Sequence, residues 1–546
     1  MILILAVLTI PGLLYFYPLF EEKGLRGDFV PAKKPEFSLE NWFAGKFQAQ
    51  AEEYVTENIG FHNFLVRLNN QMNFSFFSIA ATEGVVVGKE NQMYEKDYIL
   101  EYTGEYFIGD VPIEKKVKQI KFLQDHLLEK YNKHLVIVFE PGKAEVMPEF
   151  IPDRYHPERR TRTNYQAFLD FCNKNEVKYL DLNRFFIDIK DTVSYPLYPR
   201  YGIHWSIYGM SLAADTLVKY LEHITQKDLI DVKWEIKSVS STPKETDYDV
   251  GESMNLLWNV NRDEYAYPVG IFEQNPEKWK PRVLAIADSY YFNIYSSYIP
   301  ENVFANRDFW YFGKRVFPIS YKTVTTIKEI NAEEAIQSQD IILCMVTGRF
   351  LHRAFWEKIN MMYKIYNPDE PADALVEAYD AITAYDEWFQ KIYKEAKEKK
   401  MPFHILIGNH AQYSANKGKN PNSNNKQEKV LTRAQWLEIY VQQIKDNPTW
   451  LKKVEEKAKE QNISLDEMIK KDANWCLEDD LKNGKIKIAG IEKDEEIAVQ
   501  AIIKEIKKNP KWLKHIEEKA KKEGKNIDEA IRDDAVWTYK DRQKGK

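Results

Sequence analysis

The stretch Val283–Ser289 reads VLAIADS, five apolar residues followed by an Asp-Ser pair. A short apolar run without polar alternation is typical of a strand that is buried on both faces of a parallel sheet. Three other runs have a similar character: LVIVFEP at Leu135–Pro141, VKYLDL at Val177–Leu182 and IILCMV at Ile341–Val346. Together they predict an α/β fold with a mainly parallel sheet flanked by helices.

Helical patterns surround these runs. Apolar residues recur at helical spacing in Ile113–Lys133 and Asn164–Asn175, each before a predicted strand, and VVVGK at Val85–Lys89 adds a short strand. We therefore predict one α/β domain over residues 30–358. Functional groups in such sheets gather at the carboxyl ends of the strands, so these ends are where candidates are sought.

Three strand ends or their neighbours carry chemically useful side chains. Ser289, where a strand turns into a helix, can present its hydroxyl beside helix-start N–H groups, although an Asp-Ser pair also fits a helix cap. His204, in YGIHWSIYG before a helical pattern, can reach a nucleophile, but a single histidine is more often structural. Lys143, in the turn after LVIVFEP, can bind an anionic substrate group or remain a solvated turn lysine.

In their order and flanks, these elements resemble the SGNH-hydrolase-like domain of alginate O-acetyltransferases. The resemblance extends over roughly residues 35–358. It rests on the following segments: Gly45–Asn70 before the first strand, VVVGKENQMY at Val85–Tyr94, EPGKAEVMPEFIP at Glu140–Pro152, GIHWS at Gly202–Ser206, LAIADSY at Leu284–Tyr290 and IILCMVTGRFL at Ile341–Leu351.

The resemblance implies an acyl-transfer site. Ser289 would be the nucleophile, His204 its general base, and the backbone N–H of Ser289 part of the oxyanion hole. The acetyl group would pass through acetyl-Ser289 to a sugar hydroxyl, or to water in an esterase. The remaining oxyanion or substrate groups that the resemblance implies are Asp288, Tyr290, Trp205, Lys143 and Arg349.

The sequence departs from the family where its catalytic acid is expected. Gly202 stands two residues before His204, where the family has Asp, and Ala287 replaces the Gly before Asp-Ser. Three readings remain open: the pair works without an acid, the site is impaired, or another carboxylate orients the imidazole. The candidate carboxylates are Asp181, Asp188 and Asp191.

The N-terminus is predicted to be membrane-directed. Residues 1–20 carry no charged side chain, and Glu21 and Glu22 end the run. Twenty residues at about 1.5 Å per residue just cross a hydrocarbon core of about 30 Å. Since no basic segment precedes the run and no clear cleavage site follows it, we expect residues 1–22 to form a retained anchor rather than a cleaved signal peptide. Lys23 and Arg26 follow the run, so the positive-inside rule leaves the orientation undecided or even reversed. The family resemblance implies an inner-membrane anchor with a periplasmic domain after it.

The C-terminal third repeats with a period of 62 residues. Ile444–Trp475 aligns without gaps onto Ile506–Trp537, and residues from Trp388 onward align one period earlier. We predict three helical repeats over residues 366–546, which bury an aromatic stripe that includes Trp388, Trp450 and Trp512. The alignment places the Gly-Asn-His sequence at 408–410 on a helix surface, so we assign it no catalytic role.

Composition restricts the possible functions. The 77 Lys and Arg against 83 Asp and Glu give no global attraction to nucleic acid. Three widely spaced cysteines (Cys172, Cys344 and Cys476) offer neither a disulfide framework nor a zinc motif, and we predict no metal or organic cofactor. Aromatic residues that could stack on sugar rings are Trp205, Tyr290, Tyr291 and Trp310.

The predicted function is an extracytoplasmic polysaccharide O-acetyltransferase or acetylesterase with a Ser-His site. The resemblance implies a membrane-bound O-acyltransferase partner that supplies the acetyl group. A non-catalytic scaffold that binds glycan, or helical repeats that dock assembly proteins, are the alternatives.

Overall fold

The structure is a computed structural model. It describes residues 9–15, 17, 22–27, 32–312, 314–353, 356–370, 373–419, 433–446, 448–461, 463–482, 502–503, 505–523 and 527–544. The chain divides into two compact units, Met1–Phe389 and Gln390–Lys546. The α/β domain belongs to the first unit.

The strands of the first unit form one large sheet and two small antiparallel ones. The strands are β1 (Val85–Val87), β2 (Met93–Glu95), β3 (His134–Glu140), β4 (Tyr179–Asp181), β5 (Val232–Ser240), β6 (Tyr265–Phe272), β7 (Val283–Ala287), β8 (Asp308–Tyr311), β9 (Arg315–Phe317) and β10 (Ile341–Thr347). The large sheet has six strands in the order β4-β3-β10-β7-β8-β9. Its first five strands are parallel to one another, and β9 is antiparallel to β8. The small sheets pair β1 with β2 and β5 with β6.

The four apolar runs form neighbouring parallel strands of the sheet, as their sequences predicted. All residues of β7 and β10 are buried, because helices cover both faces of a parallel sheet. The mainly parallel α/β sheet is thus confirmed, with β9 as its antiparallel edge.

The register of the central strands brings their carboxyl ends to one edge. Thr347 of β10 pairs with Glu140 of β3, and Met345 of β10 pairs with Ala287 of β7. Consequently the Asp-Ser pair that follows Ala287 emerges beside the end of β10.

The helices of the first unit include those that cover the sheet and those that lead into the site. Their bounds are Leu39–Phe43, Lys46–Asn58, His62–Phe77, Lys96–Tyr102, Asp110–Tyr131, Lys143–Val146, Asn164–Lys174, Leu182–Ile189, Ile207–Thr225, Asp249–Ser253, Tyr291–Ser296, Ile299–Asn302, Ala332–Gln337, Trp356–Tyr366 and Ala374–Ala384. The helix Asp386–Lys399 runs from the first unit into the second.

Over its described residues the second unit is helical. Its helices are Phe403–Lys419, Arg433–Asp446, Pro448–Gln461, Leu465–Lys482, Pro510–Glu523 and Ile527–Lys544. Gly408, Asn409 and His410 are half-buried in the first of these helices. The predicted linker Ser414–Lys429 begins as a continuation of that helix, and residues 420–429 lie outside the described part of the chain.

The aromatic positions of the predicted repeats differ in burial. Trp450 and Trp512 are half-buried against the helical cores. In contrast, Tyr413, Trp475 and Trp537 are 54%, 68% and 65% exposed. The three-repeat organisation itself stays a prediction.

For the N-terminal segment, the described residues contain no helix that is both long and apolar enough to cross a bilayer. Of the predicted anchor 1–22, residues 1–8, 16 and 18–21 lie outside the described residues. The anchor stays a prediction.

The central strand should dominate the stability of the first unit. We expect Leu343→Ala, which truncates a fully buried side chain of β10, to lower the free energy of unfolding by about 2–5 kcal/mol, because it removes apolar contacts and leaves a cavity. Chemical denaturation followed by tryptophan fluorescence measures the loss. Val324→Ala, at a side chain that is 62% exposed, is the control, and an equal loss in both variants would contradict the packing described.

Candidate active site

Ser289 sits in a turn that its neighbour holds in place. The turn connects β7 to the helix Tyr291–Ser296. The buried carboxylate of Asp288 accepts the backbone N–H of Tyr290 at 3.0 Å through Oδ1, and the N–H and Oγ1–H of Thr347 at 3.0 and 2.9 Å through Oδ2. Asp288 therefore ties the turn to the end of β10, whereas the resemblance implied an oxyanion or substrate group.

His204 reaches Ser289 from a loop before a long helix. Ser206 caps the helix Ile207–Thr225 by accepting the N–H of Gly209 at 2.9 Å, and this cap sets where the loop ends. The distance from His204 Nε2 to Ser289 Oγ is 2.9 Å. The two residues lie 85 positions apart in the sequence and meet within hydrogen-bond distance.

A third group completes the chain of contacts. Asp249 Oδ2 lies 2.6 Å from His204 Nδ1. A carboxylate only accepts hydrogen bonds, so Nδ1 carries a proton and Nε2 is free to accept the hydroxyl proton of Ser289. Asp249 Oδ1 accepts the N–H groups of Ile203 at 3.2 Å and Val250 at 2.7 Å, which orient the carboxylate. The arrangement has the geometry of a Ser-His-Asp triad.

The packing around position 202 explains why a glycine occupies it in this structure. A Cβ at this position would lie 2.6 Å from Pro199 Cγ, 2.8 Å from the carbonyl oxygen of Thr246 and 3.1 Å from Asp249 Oδ1. The backbone and the acid already fill the space that a side chain would need. Position 202 therefore has no room for an acidic side chain, and Asp249 supplies the carboxylate from another segment of the chain.

The three aspartates that the sequence offered as acids lie elsewhere, and this corrects the prediction. Asp181 caps the helix Leu182–Ile189 by accepting the N–H of Arg184 at 3.0 Å. Asp188 accepts from the guanidinium of Arg184 at 3.0 Å, and Asp191 is exposed. Their side chains are engaged in capping or pairing, or face solvent, while another carboxylate meets the imidazole.

The sequence carries little signal for the acid that is present. Asp249 lies in DYDVGES, 45 residues after His204, between β5 and β6. Nothing in its spacing distinguishes it from neighbouring acids such as Asp247. Only the packing of the segment after β5 against the loop before His204 selects it.

Lys143 does not face a substrate. Its buried ammonium donates to the carbonyl oxygens of Pro199, Arg200 and Gly202 at 2.6, 3.2 and 2.8 Å. Burial lowers the pKa of Lys143 to about 7, while the nearby Asp249 raises it. The expectation of an anion-binding or solvated turn lysine is wrong, because all three contacts go to the backbone of one loop.

Arg349 is also engaged within the protein. It forms an ion pair with Glu95, and its Nη2 lies 3.5 Å from Asp97 Oδ2. Desolvation lowers the pKa of Arg349 to about 10. The expected substrate role has no support from these contacts.

The aromatic residues expected to stack on sugars are buried. The rings lie in the core or against the site, so no face is open to a glycan; the residues are Trp205, Tyr290, Tyr291 and Trp310. Tyr290 instead packs against the His204 ring at 4.8 Å between centroids and donates its hydroxyl to the carbonyl of Ile203 at 2.5 Å. Its role in this structure is to support the imidazole.

Among the described residues, neither the cysteines nor a metal-binding cluster is part of the site. Cys172 and Cys344 are buried, and burial raises the pKa of Cys172 to about 12. Within the described ranges, no group of three or more His, Cys, Asp or Glu side chains is arranged to hold a metal ion.

Comparison with known families matches part of this chain. Residues 85–273 match the family model described as SGNH hydrolase-like domain, acetyltransferase AlgX. This segment is similar to that domain. The resemblance noted in the sequence is thereby confirmed. The match includes His204 and Asp249, and Ser289 lies beyond its end.

Comparisons with solved structures and with curated proteins add little to the assignment of this chain. The O-acetyltransferase domain of Pseudomonas putida AlgJ is 13% identical, with a TM-score of 0.35 over 52% of this chain and 99% of that chain. Pseudomonas aeruginosa AlgX is 11% identical, with a TM-score of 0.35 over 54% and 71%. Bacillus cereus PatB1 is 13% identical, with a TM-score of 0.28 over 46% and 94%. These values are too low to carry an argument, and no curated protein matches the chain in sequence.

The contact between Asp249 and His204 should govern the reactivity of Ser289. We expect Asp249→Asn to slow modification of Ser289 by phenylmethylsulfonyl fluoride by about a hundredfold or more, because the imidazole loses its orienting carboxylate and its basicity. Intact-mass measurement of the adduct over time gives the rate. Asp191→Asn, at an exposed acid outside the site, should leave the rate unchanged, and equal rates in the two variants would remove Asp249 from the triad.

A side chain at 202 should disturb the same contact. We expect Gly202→Ala to destabilise the first unit by about 1–3 kcal/mol through overpacking and to slow the sulfonylation of Ser289, since the added Cβ pushes on Asp249. Gly348→Ala is the matched control, because its Cβ would meet only Glu101 Cγ at 3.8 Å. If Gly202→Ala behaved like that control, the steric account of Gly202 would be refuted.

Proposed function

We propose that this chain is a serine-dependent O-acetyltransferase or acetylesterase that acts on a polysaccharide. The observation that carries the proposal is the continuous contact from Ser289 through His204 to Asp249. The family match to an acetyltransferase domain over residues 85–273 supports the acetyl group as the one transferred.

The first half-reaction acetylates Ser289. The Oγ of Ser289 attacks the carbonyl carbon of the acetyl donor while His204 Nε2 takes the hydroxyl proton. Asp249 stays ionised and stabilises the imidazolium through Nδ1–H. The tetrahedral intermediate collapses when the bond to the leaving group breaks, and the leaving oxygen or sulfur takes the proton from Nε2. The product is acetyl-Ser289, with neutral His204 restored.

The second half-reaction repeats these steps in reverse. A sugar hydroxyl gives its proton to His204 Nε2 and attacks acetyl-Ser289, and the Ser289 oxygen takes the proton back as it leaves. In an esterase, water replaces the sugar hydroxyl. The backbone N–H of Ser289 is the proposed oxyanion donor in both halves.

A non-catalytic scaffold is the weaker alternative. Its support was the absence of an acid at position 202, and Asp249 supplies a carboxylate to the imidazole from another segment. No observation in the described residues favours the scaffold over the enzyme.

The setting of the reaction belongs to the same proposal. We place the domain on the extracytoplasmic side of the inner membrane, held by the apolar segment 1–22, with a membrane-bound O-acyltransferase as the partner that delivers the acetyl group. The uncharged N-terminal run of the sequence supports the membrane part. The family resemblance supports the partner.

Trapping of the acyl enzyme tests the chemistry. We expect the full-length chain to release p-nitrophenol from p-nitrophenyl acetate and to gain the mass of one acetyl group on Ser289, because the triad activates that hydroxyl. Peptide mass spectrometry locates the adduct, and Ser289→Ala is the control. Identical release by wild type and Ser289→Ala, with no adduct, would refute the proposal.

Acceptor dependence separates the two activities. A transferase gives one burst of p-nitrophenol and then turns over only when an oligosaccharide with free hydroxyls is added, and the sugar gains the acetyl group. An esterase turns over without a sugar and releases acetate.

A further inference from the structure

The loop before His204 depends on one buried lysine. Lys143 sits in the turn just after β3, and its three ammonium protons match three backbone carbonyls, those of Pro199, Arg200 and Gly202. A buried carbonyl without a donor costs free energy comparable to a lost hydrogen bond. One side chain therefore satisfies most of the acceptors in the segment that leads to His204.

The remaining carbonyls of that segment have donors of their own. The carbonyl of Tyr201 accepts the N–H of Gly251 at 2.9 Å, and that of Ile203 accepts the hydroxyl of Tyr290 at 2.5 Å. Gly251 lies two residues after the triad acid, and Tyr290 directly follows the nucleophile. All five carbonyls from 199 to 203 are thus bound, and that of Arg200 also accepts the N–H of Met93 at 2.8 Å. The lysine joins the turn after β3 to a loop that is also held by β2 and by segments of the site.

The ammonium also has electrostatic neighbours in the site. Asp249 and Asp263 attract it, Arg200 repels it, and the ring of Tyr94 faces it with its centroid 5.6 Å from Nζ.

We propose that Lys143 is a positioning residue of the active site, which holds the loop that carries His204 through three backbone carbonyls. It contacts neither the reacting atoms nor the substrate. This role of Lys143 rests on the proposed function and adds to it. Of the two tests below, only the measurement of acetyl-ester turnover needs that function to be correct.

The first test is independent of catalysis. We expect Lys143→Met, which keeps the apolar stem and removes the ammonium, to move and broaden the ¹³Cε1 signal of His204 at a fixed pH, because buried carbonyls of the loop lose their donor and the ring is no longer held in one place. ¹³Cε1-histidine NMR of the full-length chain measures the change, and His204→Gln assigns the signal.

A matched control separates this effect from general destabilisation. Lys116→Met removes another buried ammonium. Lys116 lies on the helix Asp110–Tyr131 and donates to Asp380 and Asn360. The His204 signal should not change in this variant. An unchanged signal in Lys143→Met, or the same change in both variants, overturns the inference.

The second test uses acetyl-ester turnover. Lys143→Met should lower kcat by about ten- to hundredfold with KM within about twofold, since the base is displaced and the substrate contacts are intact. If Lys143→Met does not fold, Lys143→Gln replaces it: the amide donates to only part of the loop, so the His204 signal still changes and turnover still falls. A wild type without turnover would refute the proposed function and leave the NMR comparison to decide the role of Lys143.

Discussion

The parallel pairing of β10 with both β3 and β7 is the constraint on which the rest of the structure depends. It aligns the carboxyl ends of three buried strands, so that Thr347 can donate to Asp288 and hold the turn that carries Ser289. Each strand in this trio is buried, and a shift of register by one residue would move the end of β7 by about 3.3 Å relative to Thr347 and break its contact with Asp288. The position of Ser289 is therefore a consequence of the strand pairing in the core.

The loop that carries His204 to Ser289 depends on hydrogen bonds to its backbone carbonyls. The loop 199–203 has no secondary structure of its own to bind its carbonyls, so donors from other segments must do so. Lys143 and Tyr290 supply side-chain donors, Met93 and Gly251 supply backbone N–H groups, and Asp249 accepts the N–H of Ile203 as well as that of the imidazole. Tyr290 and Asp249 also contact the His204 ring, so the folding of the loop and the orientation of the ring depend on shared contacts.

Much of the α/β domain follows from local sequence. The runs at Leu135–Pro141, Val283–Ser289 and Ile341–Val346 form buried strands because their apolar residues have no other place to be buried. Local pattern was less informative where burial depends on distant segments. The sequence left open whether Trp205 and Tyr290 stack on sugar rings or pack in the core, and the structure shows them as core residues, whereas Trp475 and Trp537 are exposed.

The sequence by itself determined the sheet strands, the nucleophile turn and the histidine loop, because each is encoded in a few adjacent residues with a recognisable pattern. Only the tertiary structure decided which carboxylate meets His204. Asp249 is far from His204 in sequence and belongs to no motif, and it was selected because a glycine at 202 leaves room for it and because the N–H groups of Ile203 and Val250 orient it. Such a choice depends on distances between segments, and no local pattern records those distances.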